Sequence, residues 1–498
     1  MRKISILVIA LMMVFSASSA VAQTGIPGSG WWSGEQVQNV GSTLATVTVT
    51  AYDSTTAATY TAAQGIAAGA AFTFSPSHFA GMPAGFQGSA VVSSAEPIKA
   101  IVNVTNRLSG DLGIAGGKAA AQYQGIDSSM VATSLNFPVI KGGHYGKSTT
   151  VYIQNAGTSP ATATLTFTMK NGDVHAYTTP TIGVYQMVAA SVWDSTTFNP
   201  SGQPASWTGR LGALAITSAQ PLAATVMEHF TAEAVGTILQ STRAFTSADF
   251  DTVFYAPIIK NSWVNGRFTG INVMNVSGSP VDITVTYKGT GGATCLGNTY
   301  VDSTTGVPKG APYNFVQRTE DGTNLPVNCL AAAKIEATGK IVVVVTESYR
   351  SDAIPASGQS AVMSSGFPAH TATTKVSAPL FKDDNYQKRT GLQIQNVGPV
   401  TATNIVATFV CTGGASFTAI SLPQTVASGS AVLFYKPSAD PGKFTSTNPF
   451  VASNVNCGVT ITSDQPIVAL ANESPIPPSA GGTLQQDNNN YEGFNLTP

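Results

Sequence analysis

Along most of the chain apolar and polar residues alternate with a period of two, as in Thr46-Val47-Thr48-Val49-Thr50 and Ile283-Thr284-Val285-Thr286-Tyr287. Successive strand side chains point to opposite faces, so such runs place Val and Ile in a core and Thr in water. No window of helical period is long enough for a sizeable helix beyond residue 22. Apolar runs near Val139, Val151, Leu165, Tyr177, Val188, Leu214 and Val226 predict seven strands within roughly 120 residues.

That rhythm recurs four times. Glu35-Gln36-Val37-Gln38-Asn39-Val40-Gly41 aligns with the segments that end at Asn155-Ala156-Gly157, Asn275-Val276-Ser277-Gly278 and Asn396-Val397-Gly398. Each is turn chemistry: Asn bonds its own backbone and Gly accepts positive φ. A second signature reads Ser94-Ala95-Glu96-Pro97, Ser218-Ala219-Gln220-Pro221 and Ser463-Asp464-Gln465-Pro466, with a degenerate Ala337-Thr338-Gly339-Lys340 in the third repeat. A third, Pro138-Val139-Ile140-Lys141, recurs as Pro257-Ile258-Ile259-Lys260 and Pro379-Leu380-Phe381-Lys382, but not in the first repeat. The fold expected is all-β, a tandem array of four immunoglobulin-like β-sandwiches at 23–130, 131–248, 249–372 and 373–480, with a tail at 481–498.

Composition narrows the setting. Charged residues make up 10% of the 498, with 24 Lys and Arg against 25 Asp and Glu, so no basic face exists for nucleic acid. Residues 1–22 read as a cleaved signal peptide. Arg2 and Lys3 precede an apolar run from Ile4 to Phe15, and Ala20-Val21-Ala22 gives a small-residue cleavage site before Gln23. That run is too short to span a bilayer, so the mature chain is expected to be secreted or at the cell surface, without a membrane span. Cys295, Cys329, Cys411 and Cys457 would then meet an oxidising environment. Three connectivities exist; the repeats place two cysteines in each of the last two domains, favouring Cys295–Cys329 and Cys411–Cys457.

A strand ending in Asn-x-Gly and followed by Thr/Val alternation resembles the CARDB-like and related immunoglobulin-like domains of bacterial secreted and cell-surface proteins. The resemblance covers all four repeats, from Asn39 and Gly41 through Asn155 and Gly157, Asn275 and Gly278, to Asn396 and Gly398. It implies adhesion, surface-layer or scaffold roles and carries no catalytic residue onto this chain.

The search for chemistry agrees. His78, His144, His175, His229 and His370 fall at unrelated repeat positions, and no HExxH, G-x-S-x-G, P-loop or Rossmann pattern occurs. Glu228, Glu347 and Glu473 recur one per domain at strand ends and read as structural carboxylates that accept backbone hydrogen bonds. Asp383-Asp384-Asn385 could offer oxygen ligands to calcium but reads better as a solvated loop. The sequence therefore points to no catalytic residue, metal ligand set or cofactor.

The function expected is a non-enzymatic, extracellular structural or adhesive protein that assembles into a layer, sheath or filament. The alternative is a carbohydrate-binding array. Its stacking residues would be the loop aromatics Trp31, Trp32, Tyr145, Trp263 and Tyr386, which otherwise plug the sandwich ends. A secreted enzyme of unfamiliar type is a third reading. Expected partners are further copies of the chain, head-to-tail or lateral, or surface polysaccharide. The first repeat lacks an opening strand, and Tyr491-Glu492-Gly493-Phe494 echoes Tyr123-Gln124-Gly125-Ile126. The tail of one copy could thus complete the head of the next by strand addition; the alternative is a frayed tail and a first domain that uses a shorter strand or a different edge cover.

Overall fold

A computed structural model describes residues 5–9, 25–26, 31–106, 119–191, 210–230, 238–349, 361–413, 416–447, 449–476 and 488–496. Each repeat folds into the same two-layered unit. In the second repeat an opening strand, Ala132–Gly142, turns into the strand that ends at the signature asparagine, Lys147–Asn155. A crossing strand, Arg210–Phe230, then serves both layers. Its first half pairs with Ala163–Met169 and the opening strand; its second half pairs with Lys147–Asn155 and a closing strand, Leu239–Arg243.

The third unit repeats this with opening strand Asp251–Asn261, asparagine strand Arg267–Asn275, crossing strand Cys329–Tyr349 and closing strand Val362–Ser365. The fourth uses Thr373–Asp383, Lys388–Asn396, Val455–Pro475 and Asn489–Glu492. In the first unit the crossing strand is broken into Gly88–Ser94 and Ile98–Asn106, and Trp31–Asn39 and Ala120–Gln124 flank its second half. The described chain is thus nearly all strand, with helix confined to single turns.

Two of the seven apolar runs in the second repeat, at Leu214 and Val226, belong to one strand of 21 residues. The seventh strand is instead Leu239–Arg243, whose buried Gln240, Ser241, Thr242 and Arg243 show no apolar alternation. The serine of the second signature lets the strand change layers. Ser94, Ser218 and Ser463 each accept the N–H two residues on, at 3.1, 3.2 and 3.1 Å. The following Pro has no N–H to continue the ladder.

The signature asparagines are fully buried clamps. Asn155 Nδ2 donates to the carbonyls of Ser159 (2.8 Å) and Ile182 (3.0 Å), and its Oδ1 accepts Gly157 N–H at 2.9 Å. Asn39 and Asn396 repeat all three bonds, with Gly41 and Gly398 as donors. The glycines are not there for positive φ; none of the three adopts it. They permit close approach instead: a Cβ on Gly41 or Gly398 would lie 2.7 or 2.6 Å from the Glu96 or Gln465 side chain, and Gly157 meets Gln220 likewise. In the third unit Ser277, not Gly278, fills the turn position and donates to Asn275 Oδ1 at 2.8 Å, while Gly278 faces open space.

The four units close on one another through their closing strands. Ser241 donates to the carbonyl of Gln122 at 2.8 Å, and the Thr242 and Ser365 hydroxyls meet at 2.8 Å. Ser365 N–H reaches the Glu492 carboxylate, and Gln124 Nε2 donates to Glu492 O at 3.0 Å. Hydrogen bonds therefore run from the first unit through the second, third and fourth and back to the first.

Two expectations change as a result. Residues 481–487 and 497–498 of the expected tail lie outside the described residues, but Asn489–Glu492 pairs with the crossing strand of the fourth unit and Phe494–Asn495 with its opening strand. The segment is therefore in use within its own unit. In the first unit, Ser5–Ile9 occupies the opening-strand position, pairing with Ala90–Ser94 and with Ile126–Asp127. The rest of the segment read as a signal, residues 1–4 and 10–22, lies outside the described residues.

Cys295 and Cys329 are joined, as are Cys411 and Cys457, with Cα atoms 5.4 and 3.9 Å apart. Two such bonds indicate a non-reducing compartment. Among the described residues no helix is long and apolar enough to cross a membrane.

Replacing Asn155 by Ala strands the Ile182 carbonyl and the Gly157 N–H in the interior and loses the bond to the Ser159 carbonyl. Urea denaturation is expected to show a loss of about 2–4 kcal/mol. Gly157→Ala, which drives a methyl into Gln220, is expected to cost about 1–3 kcal/mol.

Candidate functional sites: buried ion pairs and two clefts

Each opening strand from the second unit onward ends in a lysine turned inward across the sandwich. Lys141 Nζ lies 2.8 Å from Glu228, Lys260 Nζ 2.7 Å from Glu347 and Lys382 Nζ 2.8 Å from Glu473. The acids stand on the second half of each crossing strand, in the other layer. A second cation arrives from the start of the asparagine strand: Lys147 at 3.9 Å, Arg267 at 3.1 Å and Lys388 at 2.9 Å.

The glutamates meet cations rather than the backbone N–H groups expected of them. The signal was present in the sequence: the lysine of Pro-x-x-Lys and the glutamate occur together in three repeats and are absent together from the first, where Val104 holds the acid's place.

Burial alone would raise each carboxyl, but the paired cations outweigh it. Lys382 and Lys388 bring Glu473 down to about 2, and Glu228 and Glu347 are lowered in the same way. Burial, with Lys141 beside it, brings Lys147 down to about 8 against the pull of Glu228. The first unit holds the opposite case. Glu35, 1% exposed, occupies the core position that Val151, Ile271 and Leu392 fill elsewhere, and burial without a counter-charge raises it to about 8.

The five loop aromatics do not act alike. Trp31 is buried in the first core, and Trp263 is half-buried against Gly291, where a Cβ would lie 3.0 Å from its ring. Trp32 is half-buried at a cleft mouth. Tyr145 and Tyr386 are 81% and 78% exposed and adopt left-handed φ of 50° and 48°, an unusual conformation for a bulky residue.

Each of these tyrosines borders a cleft between units. The one beside Tyr145, of about 680 Å³, is lined by Lys170, Asn171, Arg210, Phe268 and Arg318 among others. The one beside Tyr386, of about 950 Å³, is lined by Trp32, Ser75, Asn103, Thr105 and Gln387. Both combine an exposed ring with hydroxyl, amide or cationic groups, which suits a polyhydroxylated ligand.

The remaining candidates are absorbed locally. Asp384 pairs with Arg389 and with Lys436 (2.8 Å), and Asp383 accepts both Ser438 N–H (2.9 Å) and its hydroxyl (2.7 Å). His229 bonds Thr150 at 3.0 Å, and His370 bonds Asp251 at 2.7 Å. Among the described residues no group of three or more His, Cys, Asp or Glu is placed to hold a metal ion.

No protein-family model matches the chain, and no curated protein matches it. Among solved structures, Thermotoga maritima protein 1070 is 17% identical over 23% of this chain and 93% of its own, with a TM-score of 0.17. Red sea bream transglutaminase is 13% identical, over 50% of this chain and 31% of its own, with a TM-score of 0.11. A tetra-tandem repeat from the extending region of a large adhesion protein is 12% identical, over 92% and 94%, also at 0.11. At such TM-scores the chain's own geometry must carry the account.

The two kinds of buried glutamate imply opposite pH dependence. Glu473 has a folded pKa below its unfolded value, so its contribution is complete above about pH 4.5 and is lost as pH falls towards 2. That loss is on the order of 3 kcal/mol. Glu35 is raised, so its site is most stable below about pH 4.5 and weakens as pH climbs through 8. Glu473→Gln is therefore expected to destabilise the neutral protein by about 3–5 kcal/mol, and Glu35→Gln to stabilise it above pH 8. Denaturation midpoints measured from pH 3 to pH 9 check both signs.

Proposed function

We propose that the chain is an exported, non-enzymatic structural or adhesive protein of the cell surface or extracellular space. In this reading it comprises four immunoglobulin-like sandwiches of the CARDB-like kind and loses a leader at residues 1–22. The observation that carries it is the closed circuit of closing strands: four units bolted together by Ser241, Thr242, Ser365 and Gln124 make a rigid body suited to bearing load. Two disulfides and low surface charge support an exported setting. Immunogold labelling of the producing cells, with sequencing of the protein's N-terminus, tests it. Label at the surface and a start at Gln23 are expected; label confined to the cytoplasm would overturn the reading.

A second reading, glycan binding, is favoured by Tyr145 and Tyr386, two exposed rings held in left-handed backbone beside polar clefts. The two readings are compatible, since an adhesive scaffold can grip polysaccharide. Against a panel of soluble polysaccharides, Tyr145→Ala or Tyr386→Ala is expected to weaken binding at least tenfold, about the value of one stacked ring. Unchanged binding in both variants would remove the glycan reading.

A further inference from the structure

In units two to four the lysine end of the opening strand is received by hydroxyl groups. Thr149, Thr269 and Thr390 accept the backbone N–H of Lys141, Lys260 and Lys382 at 2.9, 3.1 and 2.9 Å. In the fourth unit the Tyr491 hydroxyl bonds both the N–H (3.1 Å) and the carbonyl of Leu380, two residues before the lysine.

Strand register carries these positions onto the first unit. Counting back from the signature asparagine, Ser33 stands where Thr149 and Thr390 stand. Tyr123, aligned through Val102 with Glu35, stands where Tyr491 aligns through Ala471 with Leu392. Ser33, Glu35 and Tyr123 are at most 1% exposed, yet their hydroxyl and carboxylate oxygens find no hydrogen-bond partner among the described residues. Leaving such groups buried and unpaired is costly. All three lie on the side of the unit that an opening strand covers elsewhere.

Ser5–Ile9 covers only part of that position. Ile9 lies opposite Ala90 as Phe137 lies opposite Leu214, and Phe137 immediately precedes the Pro-x-x-Lys stretch. The segment also falls within the leader. Gly25 and Ile26, by contrast, are tied to the second unit: Ile26 N–H donates to the Tyr152 hydroxyl at 3.0 Å, and Ser191 donates to Gly25 O at 3.4 Å. Cleavage before Gln23 would remove Ser5–Ile9 and leave this anchor in place.

We propose that the first unit is a strand acceptor: after leader removal, the edge between Gly88–Ser94 and Ile126–Asp127 takes an extended apolar strand bearing a lysine or arginine from a different polypeptide. This rests on the export reading, since the leader otherwise keeps the edge. An uncovered sheet edge templates pairing with another chain. The donor's backbone meets Ser33 and Tyr123, and its cation meets Glu35.

The site also discriminates against the chain's own opening strands. Where they need an acid and a second cation, the first unit offers Val104 and Trp31, so their lysine would be buried unpaired. The closing segment Asn489–Asn495 is already committed to the fourth unit.

The test compares the chain starting at Gln23 with the full chain starting at Met1. Each is titrated with fluorescent seven-residue peptides built on the Ser5–Ile9 sequence, without lysine or with one lysine scanned along it. Anisotropy is expected to show one lysine position binding the Gln23 chain at least tenfold tighter than the lysine-free peptide, and the full chain at least tenfold more weakly than the Gln23 chain. Glu35→Gln is expected to erase the lysine preference. Tyr123→Phe, which removes only an unpartnered hydroxyl, and Ser33→Ala are each expected to weaken binding three- to tenfold.

Equal binding to the two chains, or indifference to these substitutions, would overturn the proposal. So would self-association of the Gln23 chain that blocks every peptide. Failure of the export reading is separate: the producing cells would then hold the chain in the cytoplasm, still beginning at Met1, while the peptide results with the Gln23 chain would stand.

Discussion

The buried lysine–glutamate pair that joins the two layers is the contact on which each complete unit depends. Its lysine lies at the end of the opening strand in one layer, its glutamate on the crossing strand in the other, and a second cation approaches the same carboxylate. Ion pairs removed from water give little net stability compared with apolar packing. Their value here is specificity: an opening strand shifted by one residue would present its lysine to the wrong face. The Thr hydroxyl that accepts the lysine's backbone N–H fixes the same register from a second direction.

Assembly of the four units follows a different chemistry. Their closing strands meet through Gln, Ser, Thr, Arg and Glu side chains, beside apolar clusters that also cross between units, as at Ile258, Phe367, Val468 and Leu470. Directional groups of this kind leave few satisfactory arrangements, because each misplacement strands a buried polar atom. Arg243 is held by Asp249 at 2.7 Å and also reaches Gln124 at 3.4 Å, so it serves two units at once.

The strands, the repeats and the cysteine pairs were legible in the sequence because alternation and self-similarity are local properties. Asn39, Asn155, Asn275 and Asn396 were legible too, although Gly41, Gly157 and Gly398 earn their place by closeness to Glu96, Gln220 and Gln465 rather than by φ. Leu239–Arg243 escaped because its buried face is polar, and a strand buried among polar partners shows no hydrophobic period. The lysine–glutamate pairs escaped as contacts because their members lie 87 residues apart in two units and only their joint recurrence links them. The difference between plugging Trp31 and exposed Tyr145 depends on loop backbone that pattern alone does not fix.

The first unit differs from the others in one respect: among the described residues it has no lysine-locked opening strand of its own. Residue-resolved hydrogen exchange on the chain beginning at Gln23 measures this directly. Amides along Ala90–Ser94 are expected to exchange far faster than those of the corresponding strand halves at Leu214–Ser218, Ala333–Ala337 and Val459–Ser463, which their opening strands protect. Equal protection across all four units would contradict the account, since it would mean that the first unit completes its sheet without the segment at Ser5–Ile9.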